Sequence, residues 1–216
     1  MLKKLTLLHS NDLHGDFMTE QIDDKLVGGV SMLSGYVDKV RREEDHVIYA
    51  IAGDMFRGSL IDSEYQGIST IEIMNMLAPD IVTIGNHEVD YGLSHLLFIE
   101  KCASFPIINA NMYLTLNHTR LFESHKIFRI GGMKVLFIGI LTEDVLAQTR
   151  QERIIGSLVN VEDAAQEGDV FRVGIAGSAL AAVTRKLVEY DTVSEEGGTS
   201  LLKDISVKRI VCGAYI

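Results

Sequence analysis

Short apolar runs alternate with amphipathic stretches over the first half of the sequence, and this alternation constrains the fold more than any other feature. Residues 5–10 and 47–53 are apolar and rich in β-formers, which predicts buried strands. Residues 28–45 between them place apolar side chains three and four positions apart, which predicts an amphipathic helix. Such alternation is typical of a mainly parallel sheet with helices on its faces. It continues as helix, strand, helix and strand at residues 68–79, 80–85, 93–103 and 106–111.

The rhythm changes after the fourth predicted strand. Residues 125–141 are two β-like runs joined by Gly131-Gly132, which predicts a hairpin and with it a second sheet or a mixed edge. The pattern then weakens. Residues 170–191 fit a strand followed by a helix of small residues, and residues 205–216 fit a closing strand or a short helix.

Each of the first three predicted strands ends in a short polar segment. These segments are "HSNDLHG" at residues 9–15, "GDMFRGS" at 53–59 and "GNHEVDYG" at 85–92. In an open α/β sheet, the carboxyl ends of the strands form the crevice where ligands bind. We therefore expect three segments that are far apart in the sequence to meet in space.

The three segments supply side chains that suit a divalent cation. Carboxylate oxygen, imidazole nitrogen and amide oxygen together fit an ion such as Mn²⁺, Zn²⁺, Fe or Mg²⁺. On a strand, Asp12 and His14 would point to the same face because they are two residues apart. Each segment alone could be a solvated turn or a helix cap, but their ordered combination favours a metal site. The cluster of candidate residues contains Asp12, His14, Asp54, Asn86 and His87.

The ordered motifs "DLH", "GD" and "GNHE" resemble those of the calcineurin-like metallophosphoesterases. The fuller forms "HSNDLHG" and "GNHEVDYG" look like the 5′-nucleotidase and 2′,3′-cyclic-nucleotide phosphodiesterase branch, and the resemblance runs from residue 5 to about residue 160. It implies an α/β fold, a four-layer α/β/β/α sandwich of two mixed sheets flanked by helices. Residues 1–165 would form this catalytic domain. Residues 166–216 could be a remnant of the family's C-terminal nucleotidase domain.

The resemblance also implies two divalent metal ions as cofactors. Asp12 and His14 would bind the first ion, and Asp54 would bridge the two. Asn86 would bind the second ion. Two such ions, about 3.5–4 Å apart, polarise a phosphoryl group and deprotonate a bridging water. The implied reaction is hydrolysis of nucleotide-like phosphate esters, through in-line attack by a metal-bound hydroxide.

The third segment would also carry the acid catalyst. By the same resemblance, His87 would stabilise the transition state and protonate the leaving oxygen, while Asp90 orients its imidazole. Glu88 is expected to lie behind the site or on the surface. Arg57 could steady a substrate phosphate through its fork of donors, although an exposed loop arginine is the simpler expectation.

Part of the family's ligand set is absent from this sequence. The resemblance implies three more histidines after later strands, one in a "GH" loop and two in a "GGHTH" loop, whereas all seven histidines here lie at or before residue 125. Missing internal segments, a deletion, or a degenerate member that no longer catalyses would each explain this. The rival function is therefore a non-catalytic nucleotide- or protein-binding module. A dinucleotide-binding enzyme is disfavoured because no G-x-G-x-x-G follows the first strand.

The net charge and the lengths of the apolar runs limit the kinds of partner that the protein is expected to bind. The formal net charge of −10 argues against a nucleic-acid duplex, and no apolar run approaches the roughly 20 residues that span a bilayer. We expect a small-molecule nucleotide or phosphate ester as the partner. The apolar start is too short for a signal peptide, so a cytoplasmic location is expected. Cys102 and Cys212 are expected to be reduced.

Overall fold

A computed structural model describes residues 4–141, 158–162, 175–176 and 210–212. The strands are β1 (Thr6–Ser10), β2 (Glu20–Ile22), β3 (Lys25–Val27), β4 (Val47–Ile51), β5 (Ile81–Thr83), β6 (Ile107–Ile108), β7 (Met112–Leu114), β8 (His125–Ile130), β9 (Met133–Ile140), β10 (Val159–Val161), β11 (Ile175–Ala176) and β12 (Ile210–Cys212). The helices are α1 (Gly29–Glu43), α2 (Leu60–Glu64), α3 (Ile68–Leu77) and α4 (Leu93–Cys102).

The central sheet is parallel and has the strand order β12-β1-β4-β5-β6. Its register pairs Leu8 of β1 with Tyr49 of β4, and Ile51 of β4 with Val82 of β5. The helices α1, α3 and α4 connect or follow these strands as the alternation of apolar and amphipathic stretches predicts. The parallel α/β arrangement expected from the sequence is confirmed.

A second sheet is built on the predicted hairpin. Strands β8 and β9 pair antiparallel through the Gly131-Gly132 turn, and β11 joins β9 in parallel, so this sheet is mixed. Two further antiparallel pairs accompany it, β7 with β10 and β2 with β3. The hairpin of β2 and β3 was not predicted because each strand has only three residues and little buried surface.

The central sheet is covered on both faces. Along β4, Tyr49 and Ile51 belong to a core cluster that also contains side chains of α1, α3 and α4. Ile48 and Ala50 point the other way, into a cluster that includes Phe137 of β9. Alternate residues of a strand face opposite sides, so β4 lies between a helix layer and the second sheet. These are three layers of the expected sandwich. The proposed domain boundary at residue 165 lies outside the described residues and stays a prediction.

The described helices are short, the longest being the 15 residues of α1. None of those that the structure describes combines the length and apolar character needed to cross a membrane. At the end of α4, Cys102 carries a free, exposed thiol, as expected from the sequence. The side chain of Cys212 lies outside the described part of the chain.

Candidate active site

Three loops leave the carboxyl ends of β1, β4 and β5 and meet above the central sheet. We call them loop 1 (residues 11–19), loop 2 (52–59) and loop 3 (84–92). Loops 1 and 2 extend the pairing of their strands, since the backbone N–H of Asp12 donates to the Gly53 carbonyl at 3.2 Å and that of His14 to the Asp54 carbonyl at 3.0 Å. A Cβ on Gly53 would lie 2.5 Å from the nitrogen of Gly85, so loops 2 and 3 also touch. The expected convergence of the three segments is observed.

The polar side chains of the loops converge with their backbones. Nε2 of His14 lies 3.8 Å from Oδ1 of Asp12, and the rings of His14 and His87 are in edge contact with centroids 4.9 Å apart. Oδ1 of Asp54 accepts a hydrogen bond from the backbone N–H of His87 at 3.0 Å. One residue from each loop therefore takes part in a single cluster.

Asp12 and His14 follow the first strand in a loop, as expected, so the side-by-side arrangement that their spacing would give on a strand does not apply. Both lie in loop 1 beyond β1, with left-handed φ angles of 55° and 52°. Asp54 and Arg57 in loop 2 are also left-handed, with φ of 54° and 67°. This conformation costs L-residues about 1–2 kcal/mol each and tends to persist only where surrounding structure imposes it. Four such residues in two adjacent loops indicate backbone shaped for a site.

The imidazole of His14 is held in an orientation and a tautomer that leave Nε2 able to bind a ligand. Its Nδ1 lies 3.2 Å from the carbonyl oxygen of Phe56, which can only accept a hydrogen bond. Nδ1 must therefore carry the proton when the ring is neutral, leaving a lone pair on Nε2. A backbone carbonyl that fixes the tautomer in this way is a common support for metal-binding histidines.

Asp54 is buried beside other oxygen-bearing groups. Burial is the main cause that raises the pKa of the Asp54 carboxyl, and Asp12 raises it further through a hydrogen bond and charge repulsion. With its nitrogen toward Asp54, the Asn86 amide donates to Oδ1 and Oδ2 at 3.2 and 3.1 Å, and its oxygen accepts from His87 Nε2 at 3.3 Å. With its oxygen toward Asp54, the amide instead brings three oxygens together, its own and the two of Asp54, and no hydrogen bond joins them.

This donor set fits a divalent cation. A cation shared by Asp54 and Asn86 would stabilise the second amide orientation, and it would relieve the repulsion between the carboxylates of Asp12 and Asp54. The fit is incomplete. Within the described ranges, no group of three or more His, Cys, Asp or Glu side chains is arranged to hold a metal ion. Two carboxylates, one imidazole and one amide are the ligands that these loops supply.

His87 and Asp90 form the hydrogen-bonded pair that the sequence predicts. Nδ1 of His87 lies 2.8 Å from Oδ2 of Asp90, whose side chain is only 2% exposed. The same oxygen accepts a hydrogen bond from Nη1 of Arg57 at 2.6 Å. The Arg57 side chain is 24% exposed, so it is not the exposed loop arginine that was expected. Its guanidinium reaches across from loop 2 to hold Asp90 in loop 3.

Glu88 lies behind the site, one of the two placements expected for it, and its contacts there were not predicted. Its side chain is buried, with the residue only 2% exposed, and both carboxylate oxygens bind backbone N–H groups. Oε2 accepts from Asp54 at 2.9 Å and from Gly85 at 2.6 Å. Oε1 accepts from Met55 at 2.6 Å and from Phe56 at 3.4 Å. Glu88 therefore ties loop 3 to loop 2 behind the cluster. The run of consecutive polar residues in "GNHE" does not indicate which groups Glu88 binds.

The two later histidines take part in other contacts. His118 stacks on Tyr113 with centroids 4.5 Å apart, and its Nε2 lies 3.4 Å from Oε1 of Glu162. His125 opens β8 and its Nδ1 lies 2.8 Å from the Ser124 hydroxyl. His118 therefore lies beside β7, and His125 belongs to the second sheet.

The fold and the cluster together define an α/β protein that gathers carboxylate, imidazole and amide groups at the carboxyl edge of a parallel sheet. The chain belongs to the calcineurin-like phosphoesterase family, whose model matches residues 5–165. Relatives are 5′-nucleotidases. Those of Mus musculus and Bos taurus are 33% and 32% identical over 153 residues, which is 65% of this chain and 27% of each relative.

A solved structure agrees with this assignment. The 5′-nucleotidase precursor from Thermus thermophilus is 27% identical, with a TM-score of 0.67 over 86% of this chain and 35% of that chain. The match to the mouse and bovine proteins spans about a quarter of their length.

Divalent cations are expected to stabilise the folded chain, and more strongly at pH 8 than at pH 5. Burial, and secondarily the charge of Asp54, raises the pKa of Glu88 to about 7, and the pKa of Asp54 is also raised. Without cations, the folded state then binds more protons than the unfolded chain between about pH 4 and 7, so the free energy of unfolding falls as pH rises. A cation held by Asp54 would replace the proton on that carboxyl, whereas Glu88 lies behind the cluster and keeps its backbone partners.

Thermal unfolding after chelator treatment, with and without Mn²⁺ or Zn²⁺, checks this linkage. A cation at about 100 times its Kd adds about 2.7 kcal/mol, or roughly 5–10 °C for a chain of this size. Asp54→Asn should remove most of the shift. A melting temperature that does not respond to either ion at either pH would contradict the expected cation site.

Proposed function

We propose that this chain is a metal-dependent phosphohydrolase of nucleotide-like phosphate esters. The observation that carries the proposal is the meeting of Asp12, His14, Asp54 and Asn86 beside the hydrogen-bonded pair of His87 and Asp90. Membership of the calcineurin-like phosphoesterase family supports it. The relatives named 5′-nucleotidases support nucleotides as the substrate class.

In this proposal the loops would hold two divalent cations beside the substrate phosphate. Asp12 and His14 would hold the first ion, Asp54 would be shared between the two, and Asn86 would hold the second. The chemistry supplied by bound Mn²⁺, Zn²⁺, Fe or Mg²⁺ would be polarisation of the phosphoryl group and activation of a water for in-line attack.

The acid function belongs to His87. With Nδ1 held by Asp90, the proton on Nε2 of the charged imidazole is available to the leaving oxygen. Asp90 fixes the ring and stabilises its positive charge. Arg57 binds the same Asp90 oxygen, so it keeps the carboxylate directed at His87 while balancing its charge.

The activity is tested with purified chain, chelated and then supplied with Mn²⁺ or Zn²⁺. We expect cation-dependent release of phosphate from p-nitrophenyl phosphate, from a nucleoside 5′-monophosphate or from a 2′,3′-cyclic nucleotide. Asp54→Asn is the matched negative control because it keeps the size of the side chain and removes its charge. Absence of both bound metal and turnover in the unaltered chain would reject the proposal.

A second function is favoured by one observation, the confinement of all seven histidines to residues 9–125. A chain lacking the family's later ligands could keep the fold as a nucleotide- or protein-binding module. Calorimetry with nucleotides separates the two functions. Binding of a nucleotide without any hydrolysis supports the module, whereas metal-dependent turnover dismisses it.

A further inference from the structure

Asp62 is a buried carboxylate that the proposed chemistry does not use. It lies in α2, directly after loop 2, and is 0% exposed. Its Oδ2 accepts hydrogen bonds from the backbone N–H of Arg57 at 2.6 Å and from the hydroxyl of Tyr91 at 2.9 Å. Its Oδ1 accepts from the hydroxyl of Thr70 in α3. A carboxylate is costly to bury unless hydrogen bonds compensate it, and these bonds come from three separate elements.

The bond to Arg57 holds a residue of loop 2 that has a left-handed backbone. Arg57 has a φ of 67°, a conformation that its own side chain disfavours. Asp62 holds its backbone N–H in that conformation, and the guanidinium then reaches Oδ2 of Asp90 at 2.6 Å. His87 binds the same Asp90 oxygen at 2.8 Å. A displacement of Arg57 would therefore also displace the imidazole of His87.

The bond to Tyr91 fixes loop 3 from its other end. Tyr91 directly follows Asp90, and its hydroxyl donates to Oδ2 of Asp62. Burial, and next the hydrogen bond and charge of Asp62, raise the pKa of Tyr91 to about 12, so the hydroxyl keeps its proton at neutral pH. Loops 2 and 3 thus bind the same carboxylate oxygen.

Loop 1 packs against the same side chain. Gly15 follows His14 and has a φ of 66°; a Cβ at that position would lie 2.8 Å from the Cβ of Asp62. No side chain other than hydrogen fits between them without movement. Asp62 is therefore in contact with, or hydrogen-bonded to, all three loops of the site.

We infer that Asp62 is a positioning residue for the pair formed by His87 and Asp90. It acts through the backbone of Arg57 and the hydroxyl of Tyr91, and it has no part in holding a cation. This inference rests on the proposed phosphohydrolase function. Misplacement of a catalytic group by about 1 Å can cost about 100-fold in rate. Asp62→Ala should therefore lower kcat by about 10–100-fold, with smaller changes in KM and in cation affinity.

The matched control is Asp80→Ala. Asp80 also accepts a backbone N–H, that of Tyr49 at 2.7 Å, and pairs with Arg41 at 2.9 Å. It precedes β5, at the edge of the central sheet opposite the three loops. Both variants lose a carboxylate that binds a backbone amide. Only the Asp62 variant should have a lower kcat, even if the melting temperatures of the two variants fall by similar amounts.

The experiment measures kcat, KM and the activating Mn²⁺ concentration for Asp62→Ala, Asp62→Asn and Tyr91→Phe beside Asp80→Ala. Tyr91→Phe removes one of the two bonds and should cost about 3–10-fold in kcat, which keeps the inference testable if Asp62→Ala fails to fold. Equal kcat in the Asp62 and Asp80 variants would overturn the inference. So would a loss of activity in Asp62→Ala that saturating Mn²⁺ restores.

Hydrogen exchange separates this inference from the proposed function. Peptides covering loop 2 and loop 3 should exchange about 10-fold faster or more in Asp62→Ala than in Asp80→Ala. If the unaltered chain shows no turnover, the phosphohydrolase proposal fails while this measurement still decides whether Asp62 fixes the loops. Unchanged exchange in both loops would remove the basis for a positioning role.

Discussion

Replacing Glu88 by leucine is expected to lower the free energy of unfolding by about 3–6 kcal/mol. The change leaves the backbone N–H groups of Asp54, Met55 and Gly85 without the carboxylate that they now share. Each buried donor left unsatisfied costs about 1–3 kcal/mol, so three cost about 3–9 kcal/mol, and the leucine offsets part of this because no carboxylate has to be buried. Since whole domains are stable by only about 5–15 kcal/mol, this single change brings the chain close to unfolding. Urea unfolding followed by circular dichroism measures the loss.

The matched control is Glu72→Leu. Glu72 is exposed on α3, so the same exchange of side chains should change the free energy of unfolding by less than about 0.5 kcal/mol. Glu88→Gln keeps one acceptor oxygen but directs an amide N–H₂ at backbone donors, and an intermediate loss of about 1–3 kcal/mol is expected. A loss below about 1 kcal/mol in Glu88→Leu would show that the loops find other partners, and the role given to Glu88 would be wrong.

The meeting of the three loops could be predicted because its signals are local. Apolar runs mark β1, β4 and β5, amphipathic spacing marks the helices between them, and parallel strands place their carboxyl ends at one edge. The same reasoning fails for the hairpin of β2 and β3. Its residues 20–27 are largely exposed, so no buried face produces the alternation of apolar and polar residues from which a strand is predicted.

The geometry inside the loops could not be predicted from spacing. Asp12 and His14 lie in the loop that was expected after a strand ending at residue 10, but the left-handed backbone of both residues was not predicted. Backbone bonds to Gly53 and Asp54 impose this conformation, and those partners are about 40 residues away in the sequence. Strained conformations imposed by distant partners leave no periodic signal in the residues that adopt them.

The contacts of the supporting residues could not be predicted for a related reason. Within the 3₁₀ turn His87–Val89, consecutive side chains point in different directions, so His87 faces the cluster while Glu88 points behind it. Met55, which Glu88 binds, lies 33 residues away. Asp62 sits in a five-residue helix that apolar periodicity does not define. Candidate ligands can be found by residue type and order, whereas residues that position them become visible only through tertiary contacts.

Replacing His87 by asparagine is expected to lower kcat by about 10²–10⁴-fold on a nucleoside 5′-monophosphate. The leaving oxygen of that substrate is an alkoxide, which is expelled with difficulty unless it is protonated. In the proposed mechanism the imidazole would supply the proton through Nε2, because Nδ1 is held by Asp90. A nitrophenolate leaves without a proton, so turnover of p-nitrophenyl phosphate should fall much less, by about 10-fold.

The comparison between the two substrates identifies what His87 contributes. Equal losses on both would assign it to stabilising charge on the phosphoryl group, since that requirement is common to both reactions, and the acid role would be wrong. Asp90→Asn should show the same dependence on the leaving group with a smaller loss, because the imidazole remains but its orientation and charge are no longer supported. His118→Asn, whose side chain is 68% exposed, should keep kcat within about 2-fold on either substrate. A substrate-dependent loss confined to His87 and Asp90 would therefore place the proton donor in loop 3.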